Sequence, residues 1–296
     1  GFGVIASGSM PPDILAAEIA ATYKLTDRPF GVNLITLHPK LEQLIDACLD
    51  AKVGHVVLAG GLPPAGSIQR LKQGGAKVMC FAPAVAIAKK LVRCGADAIV
   101  IEGMEAGGHI GPVSTSVLAQ EILPVITDVP VFVAGGIGRG NAMLGYLEMG
   151  AAGVQLGTRF VCATESIAHP NFKKAFIRAA ARDAVPSVAL DNRFPVIPVR
   201  AIVNDGVRRF MDTQRDVIAR FDRGELDQKA AQLEIEHFWA GALRRAVIDG
   251  DVESGSLMAG QSVGMVTKEQ PTAEIIQELV EDAIRALLER PHALTL

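Results

Sequence analysis

Val131-Phe-Val-Ala-Gly-Gly-Ile-Gly138, followed one amphipathic stretch later by Gly153-Val-Gln-Leu-Gly-Thr158, decides how this chain folds. Each string opens on a short apolar run that reads as a buried strand, then reaches glycine where a loop must turn. Glycine admits positive φ and lets another group come close to the backbone. Two such corners, separated by one helix, match the phosphate site that the last loops of a (β/α)8 barrel build. Gly135, Gly136, Gly157 and the Thr158 hydroxyl are the expected donors. The same glycines would also serve tight turns, and by themselves they do not separate one phosphorylated ligand from another.

Outward from these corners the rhythm repeats. Apolar segments of strand length lie at Gly3–Ala6, Gly31–Ile35, His55–Ala59, Lys77–Phe81, Ala98–Ile101, Val131–Ala134 and Gly153–Leu156. Between them Leu41–Ala51, Ile68–Gln73, Ala84–Cys94 and Asn141–Met149 have helical length and spacing. Near-continuous apolar strands alternating with helices predict a parallel sheet covered by helices. A closed barrel takes eight strands, and seven are counted here. The chain opens on Gly1-Phe-Gly-Val4 without an initiator methionine. The expected architecture is therefore a TIM (β/α)8 barrel whose first strand–helix unit precedes residue 1. An open doubly wound sheet is the rival reading.

Beyond residue 160 the character changes. Helices are expected at Asn171–Arg182, Asp212–Arg220, Glu225–Asp249 and Pro271–Glu289, with an irregular Val185–Arg200 that holds Pro186, Pro195 and Pro198. The expected division is a barrel over 1–168, a helical lobe over 169–250, and a final segment over 251–296 that carries the closing barrel helix.

Composition narrows the function classes. The chain has 296 residues, 49% hydrophobic and 21% charged, with a net charge of −3. Its Lys and Arg residues are scattered, so no nucleic-acid partner is expected. No apolar run approaches the roughly 20 residues of a membrane span. The four cysteines form no CxxC pair, which suits a reduced, cytoplasmic protein. No two histidines have metal-ligand spacing, so no metal is expected.

The chemistry-bearing candidate is His109, in Glu102-Gly-Met-Glu-Ala-Gly-Gly-His-Ile-Gly111 just past an apolar strand. An imidazole titrates near neutrality and can donate or accept a proton during turnover. Glu102 and Glu105 on the same loop could tune that imidazole, bind a small cation, or cap loop amides. Asn33 and Gln155 are polar residues inside apolar strands, where an amide needs a buried partner. That partner is either a ligand edge or a structural hydrogen bond.

These strings, with Val154-Gln-Leu-Gly-Thr-Arg-Phe160, Glu165-Ser-Ile-Ala-His-Pro-Asn171 and Met258-Ala-Gly-Gln261, resemble enoyl-acyl carrier protein reductase II and the nitronate monooxygenases. These enzymes form one family of FMN-dependent barrels, and the similarity runs from residue 1 to about residue 288. The resemblance implies FMN as cofactor, NAD(P)H as co-substrate, a homodimer and His109 as the catalytic residue. It implies FMN contacts at Asn33, Gly107, Gly136, Gln155, Gly157 and Thr158, with Gly260 and Gln261 near the flavin ring. Glu102, Gly108, Gly135 and Leu156 adjoin these positions and complete the cofactor-binding candidates. The Glu102–Gly111 run and the Gly255–Gln261 segment resemble the reductase branch, which implies reduction of a carrier-linked or small-molecule enoyl thioester. Oxidation of alkyl nitronates is the alternative. A purine-nucleotide dehydrogenase would need a nucleophilic cysteine soon after the Gly-Gly strand, whereas Cys162 follows the next strand instead. A non-catalytic flavin scaffold would leave His109 unexplained.

Overall fold

The computed structural model describes residues 1–289 apart from 9, 197 and 240. The end of the expected 251–296 segment lies outside the described residues.

Among the described residues ten strands form two sheets: β1 (Val4–Ala6), β2 (Gly31–Ile35), β3 (His55–Ala59), β4 (Lys77–Phe81), β5 (Ala98–Glu102), β6 (Gly108–His109), β7 (Val131–Ala134), β8 (Gly153–Gln155), β9 (Ala184–Pro186) and β10 (Val199–Ile202). The larger sheet has the order β1-β2-β3-β4-β5-β7-β8, every strand beside its sequence neighbour in that series. Its ladders from β1 to β5 are parallel. This is the α/β succession of a TIM-type fold. The helices that alternate with these strands are α1 (Pro12–Leu25), α2 (Leu41–Asp50), α3 (Ser67–Gln73), α4 (Val85–Arg93), α5 (Thr115–Ile122) and α6 (Gly140–Glu148).

The chain divides into two compact units. The first comprises 1–102, 116–133 and 146–153. Its strands bury one face completely: Val32, Leu34, Val56, Leu58, Val78, Cys80, Ile99 and Ile101 are each at most 1% exposed. Burial of each such aliphatic side chain is worth roughly 1.5–3 kcal/mol. The other face is different. The register Asn33–Val57–Met79–Ala98 puts these residues on one side, and the period of two adds Ile35, Phe81 and Glu102. Asn33, Ile35, Met79, Phe81 and Glu102 are only half-buried.

The second unit comprises 103–115, 134–145 and 154–296. It holds the antiparallel sheet β6-β10-β9, helices α7 (Pro170–Arg178), α8 (Asp205–Asp222), α9 (Gln228–His237), α10 (Ala242–Arg244) and α11 (Thr272–Glu289), and a core around Phe194, Phe210, Val217, Ala231 and Ile235. Three sequence expectations are corrected here. The Val185–Arg200 stretch contains β9 and the start of β10, because Val199, Ala201 and the flanking Val185 form cross-strand pairs that local proline content masks. Helix α8 starts at Asp205 rather than Asp212, because Asn204 caps it, its Oδ1 accepting from Val207 N at 3.0 Å. The helix expected over Glu225–Asp249 is interrupted: α9 starts after the Asp227 cap and ends at His237, and a π-helical turn, Arg245–Asp249, follows α10.

Candidate active site

The loop that leaves β5 is fixed at both ends inside the second unit. Gly103 N donates to Ala134 O at 3.1 Å, and a side chain at 103 would collide with Thr115. The Glu105 carboxylate accepts from Thr115 N at 2.9 Å and from Thr115 Oγ1 at 2.8 Å. Of the readings open for Glu105, capping of the α5 start is the one these bonds support. Gly135 and Gly136 have φ of 98° and 72°, and a Cβ on Gly136 would lie 2.9 Å from Glu105 Cβ. These glycines therefore close the turn against the Glu105 loop.

Gly107 is required by packing. A Cβ there would fall 2.5 Å from Gly260 N and 2.6 Å from Ala259 C. Next, the stretch read as a glycine loop becomes β6: His109 pairs with Val199, and Gly108 with Arg200. Ile110 N then donates to Pro198 O at 3.0 Å. The backbone that carries the imidazole is thus held in a ladder rather than on a free loop.

Arg200 is a buried residue the sequence reading missed. Its Nε donates to Met104 O at 2.9 Å and its guanidinium to Ala184 O at 2.5 Å. Burial holds its pKa below the ordinary arginine range, with the Glu105 charge acting in the opposite sense. The one available signal was the β-branched run Val199-Arg-Ala-Ile-Val203, whose alternation is short and interrupted by prolines upstream.

The Met258–Gln261 segment joins the same cluster. Ala259 N donates to Arg200 O at 3.3 Å, Gln261 N to Glu105 O at 2.9 Å, and Gly260 N to Thr158 Oγ1 at 2.9 Å. Gly107, Gly108, His109, Gly135, Gly136, Thr158, Gly260 and Gln261 are therefore brought together in one unit. Gly157, exposed, precedes Thr158, and a Cβ on it would meet nothing. Gln155 is exposed at the end of β8, and Leu156 packs against Ala163, Ile275 and Leu279. Asn33 and Glu102 belong to the first unit.

Electrostatics separate the candidates. His109 is exposed as a residue, yet the atoms around its ring disfavour the charged form and hold its pKa below the usual imidazole value. The ring makes no hydrogen bond among the described residues. Burial pushes the Glu102 carboxyl up to about 7. Burial, the largest cause, pushes the Cys162 thiol up to about 11, which leaves it protonated at neutral pH and unsuited to nucleophilic attack.

Comparison with known proteins gives the class. The nitronate monooxygenase family model matches residues 40–282, and the chain belongs to that family of oxidoreductases. Over 97% of its length, and 87% of the relative's, the chain is 30% identical to the (3aS,4S,5R,7aS)-5-hydroxy-7a-methyl-1-oxo-octahydro-1H-indene-4-carboxyl-CoA dehydrogenase of Mycobacterium tuberculosis. It is 35% identical to FabK, an enoyl-acyl carrier protein reductase II, from Thermotoga maritima, with a TM-score of 0.86 over 98% of this chain and 86% of that one. It is 25% identical to the nitroalkane oxidase of Streptomyces ansochromogenes, with a TM-score of 0.80 over 98% and 90% of the two chains. The family is generally FMN-dependent. Among the described residues, no helix is long and apolar enough to cross a membrane.

Proposed function

We propose that this chain is an FMN-dependent oxidoreductase that reduces an enoyl thioester with NAD(P)H. The observation that carries the reading is His109: a neutral imidazole, free of protein hydrogen bonds among the described residues, on a backbone pinned by β10. The thioester is favoured over a nitronate because the relatives at 30% and 35% identity are a carboxyl-CoA dehydrogenase and FabK, whereas the nitroalkane oxidase stands at 25%.

The residues of the second unit fit the phosphate of FMN. Gly157 offers an open backbone, and Thr158 Oγ1 accepts from Gly260 N while its own proton has no acceptor among the described residues. Gly157 and Thr158 would hold the phosphate. FMN, when bound, supplies the hydride chemistry. Saturating an enoyl thioester adds hydride at the β-carbon and a proton at the α-carbon. The neutral His109 would donate its N–H to the thioester carbonyl oxygen and so polarise the β-carbon towards hydride, the α-carbon proton being drawn from solvent. In the second reading, favoured by the family description, the same N–H holds a nitronate oxygen.

The test is anaerobic. Protein loaded with FMN should show the visible flavin band, lose it on addition of NADH, and regain it on addition of crotonyl thioester. Failure to bind FMN, or a band that crotonyl thioester leaves bleached, overturns the proposal.

A further inference from the structure

Both glycine corners of the phosphate reading, 134–140 and 157–159, are seated on one helix, α11, within the second unit. At the first corner, a Cβ on Gly140 would collide with Leu279 O and would lie 2.5 Å from Ala283 N. Gly140 opens α6, so α6 starts in direct contact with the backbone of α11. One residue on, Asn141 N donates to Asp282 Oδ2 at 3.1 Å. At the second corner, Thr158 opens a 3-10 turn, Thr158–Phe160. Arg159 in that turn is 3% exposed, and its Nη2 forms an ion pair with Glu278 Oε2 at 2.8 Å. The same Oε2 accepts from Gln270 Nε2 at 3.0 Å.

Glu278 and Asp282 are four residues apart, so they lie one turn apart on a single face of α11. Beside them, Ile275 and Leu279 are buried against Leu156 and Phe160 of the second corner and Met143 of α6. Apolar burial is non-directional, so it gathers these elements without fixing their height along α11. The two carboxylates supply the direction. A buried guanidinium needs its counter-charge, and Arg159 Nε already lacks a partner among the described residues. Shortening Glu278 would therefore draw the turn that carries Thr158 towards α11 rather than leave the charge unpaired. A phosphate site tolerates little such movement, because its donors must stay within about 0.5 Å of the productive geometry.

We propose that Glu278 and Asp282 are positioning residues for the cofactor phosphate: one turn apart on α11, they set the spacing between the two corners. The assignment rests on the FMN reading above and adds what holds the two corners in register. Neither carboxylate is offered to the phosphate itself, which carries the same sign of charge.

Riboflavin shares the ring and lacks the phosphate, so the ratio of the two affinities isolates the phosphate site. The full chain is titrated with FMN and with riboflavin, and binding is read from flavin fluorescence. The parent should prefer FMN. Glu278→Asp keeps the charge and shortens the reach by one methylene. It should lower that preference on the order of tenfold, as a small misplacement of binding groups does, and leave riboflavin binding unchanged. Glu278→Gln keeps the reach and an acceptor oxygen without the charge, and should retain most of the preference. Asp282→Ala removes the second tie and should act in the same direction as Glu278→Asp, which keeps the test open if a Glu278 variant fails to fold. An unchanged preference for FMN in Glu278→Asp and Asp282→Ala overturns the proposal. So does an equal loss of both flavins, which would make the two carboxylates supports of the fold alone. A parent that does not prefer FMN overturns the phosphate reading, and the positioning role with it.

Discussion

The first unit and the cluster around His109 are built by opposite means. In the first unit each strand sits beside its sequence neighbour, and its residues are placed by a short-range rhythm of apolar runs and helices. Around His109 every position is set by segments far away in sequence: Val199 beside His109, Gly260 over Gly107, Gly260 N on Thr158. The difference separates stability from function. A repeating unit tolerates local change, whereas a site stitched from four distant segments depends on single close approaches.

The largest expected effect is on the group the stitching serves. His109→Ala should lower turnover by roughly 10²-fold or more, as loss of a group that acts on a proton or polarises a carbonyl does, while FMN is retained because the phosphate candidates lie elsewhere. Steady-state kinetics with a flavin titration on the same sample check both halves. Unchanged turnover would reduce His109 to a strand residue.

Glu102 sharpens the contrast from the other side, as a carboxyl on the half-buried face of the regular sheet. Its pKa of about 7 lies above the ordinary 4.5. Within that window the folded chain keeps a proton that the unfolded chain has released. Stability therefore falls as pH rises through the window, by roughly 3 kcal/mol once the carboxyl is ionised. Glu102→Gln stays neutral, so its stability relative to the parent should grow from about pH 4 to about pH 8. Denaturant melts at the two ends measure it. A pH-independent difference contradicts the buried carboxyl.

Two glycine substitutions probe the stitching. Gly107→Ala drives a Cβ against the backbone of Ala259 and Gly260, and overpacking of this kind costs about 1–3 kcal/mol. Gly157→Ala meets nothing and has φ of −116°, so its stability should stay within about 0.5 kcal/mol of the parent. Thermal melts of the pair should differ clearly; equal melting temperatures would mean that Gly107 is not held against Ala259–Gly260.

The legibility of the sequence follows the same divide. The strands Gly31–Ile35, His55–Ala59, Lys77–Phe81 and Val131–Ala134 were readable to the residue because apolar runs and glycine punctuation are local signals. The glycines of the His109 loop were readable as special, but not why: the reason at Gly107 is a segment about 150 positions later. The strands β9 and β10 were hidden because three prolines dominate a stretch whose pairing partners lie in the His109 loop and at Met258. Arg200 was hidden with them, since nothing local marks an arginine for burial. The role of Glu105 stayed open in the sequence because its partner, Thr115, begins a helix that the apolar spacing there does not announce.

The central claim is that this site acts on an enoyl thioester, and two parallel assays test it most directly. The FMN-loaded protein is given crotonyl thioester and NADH under nitrogen, and separately a short alkyl nitronate in air. The account predicts butyryl thioester formed in step with NADH consumed, and slow loss of the nitronate. Rapid flavin-dependent loss of the nitronate with no saturated thioester formed would contradict it.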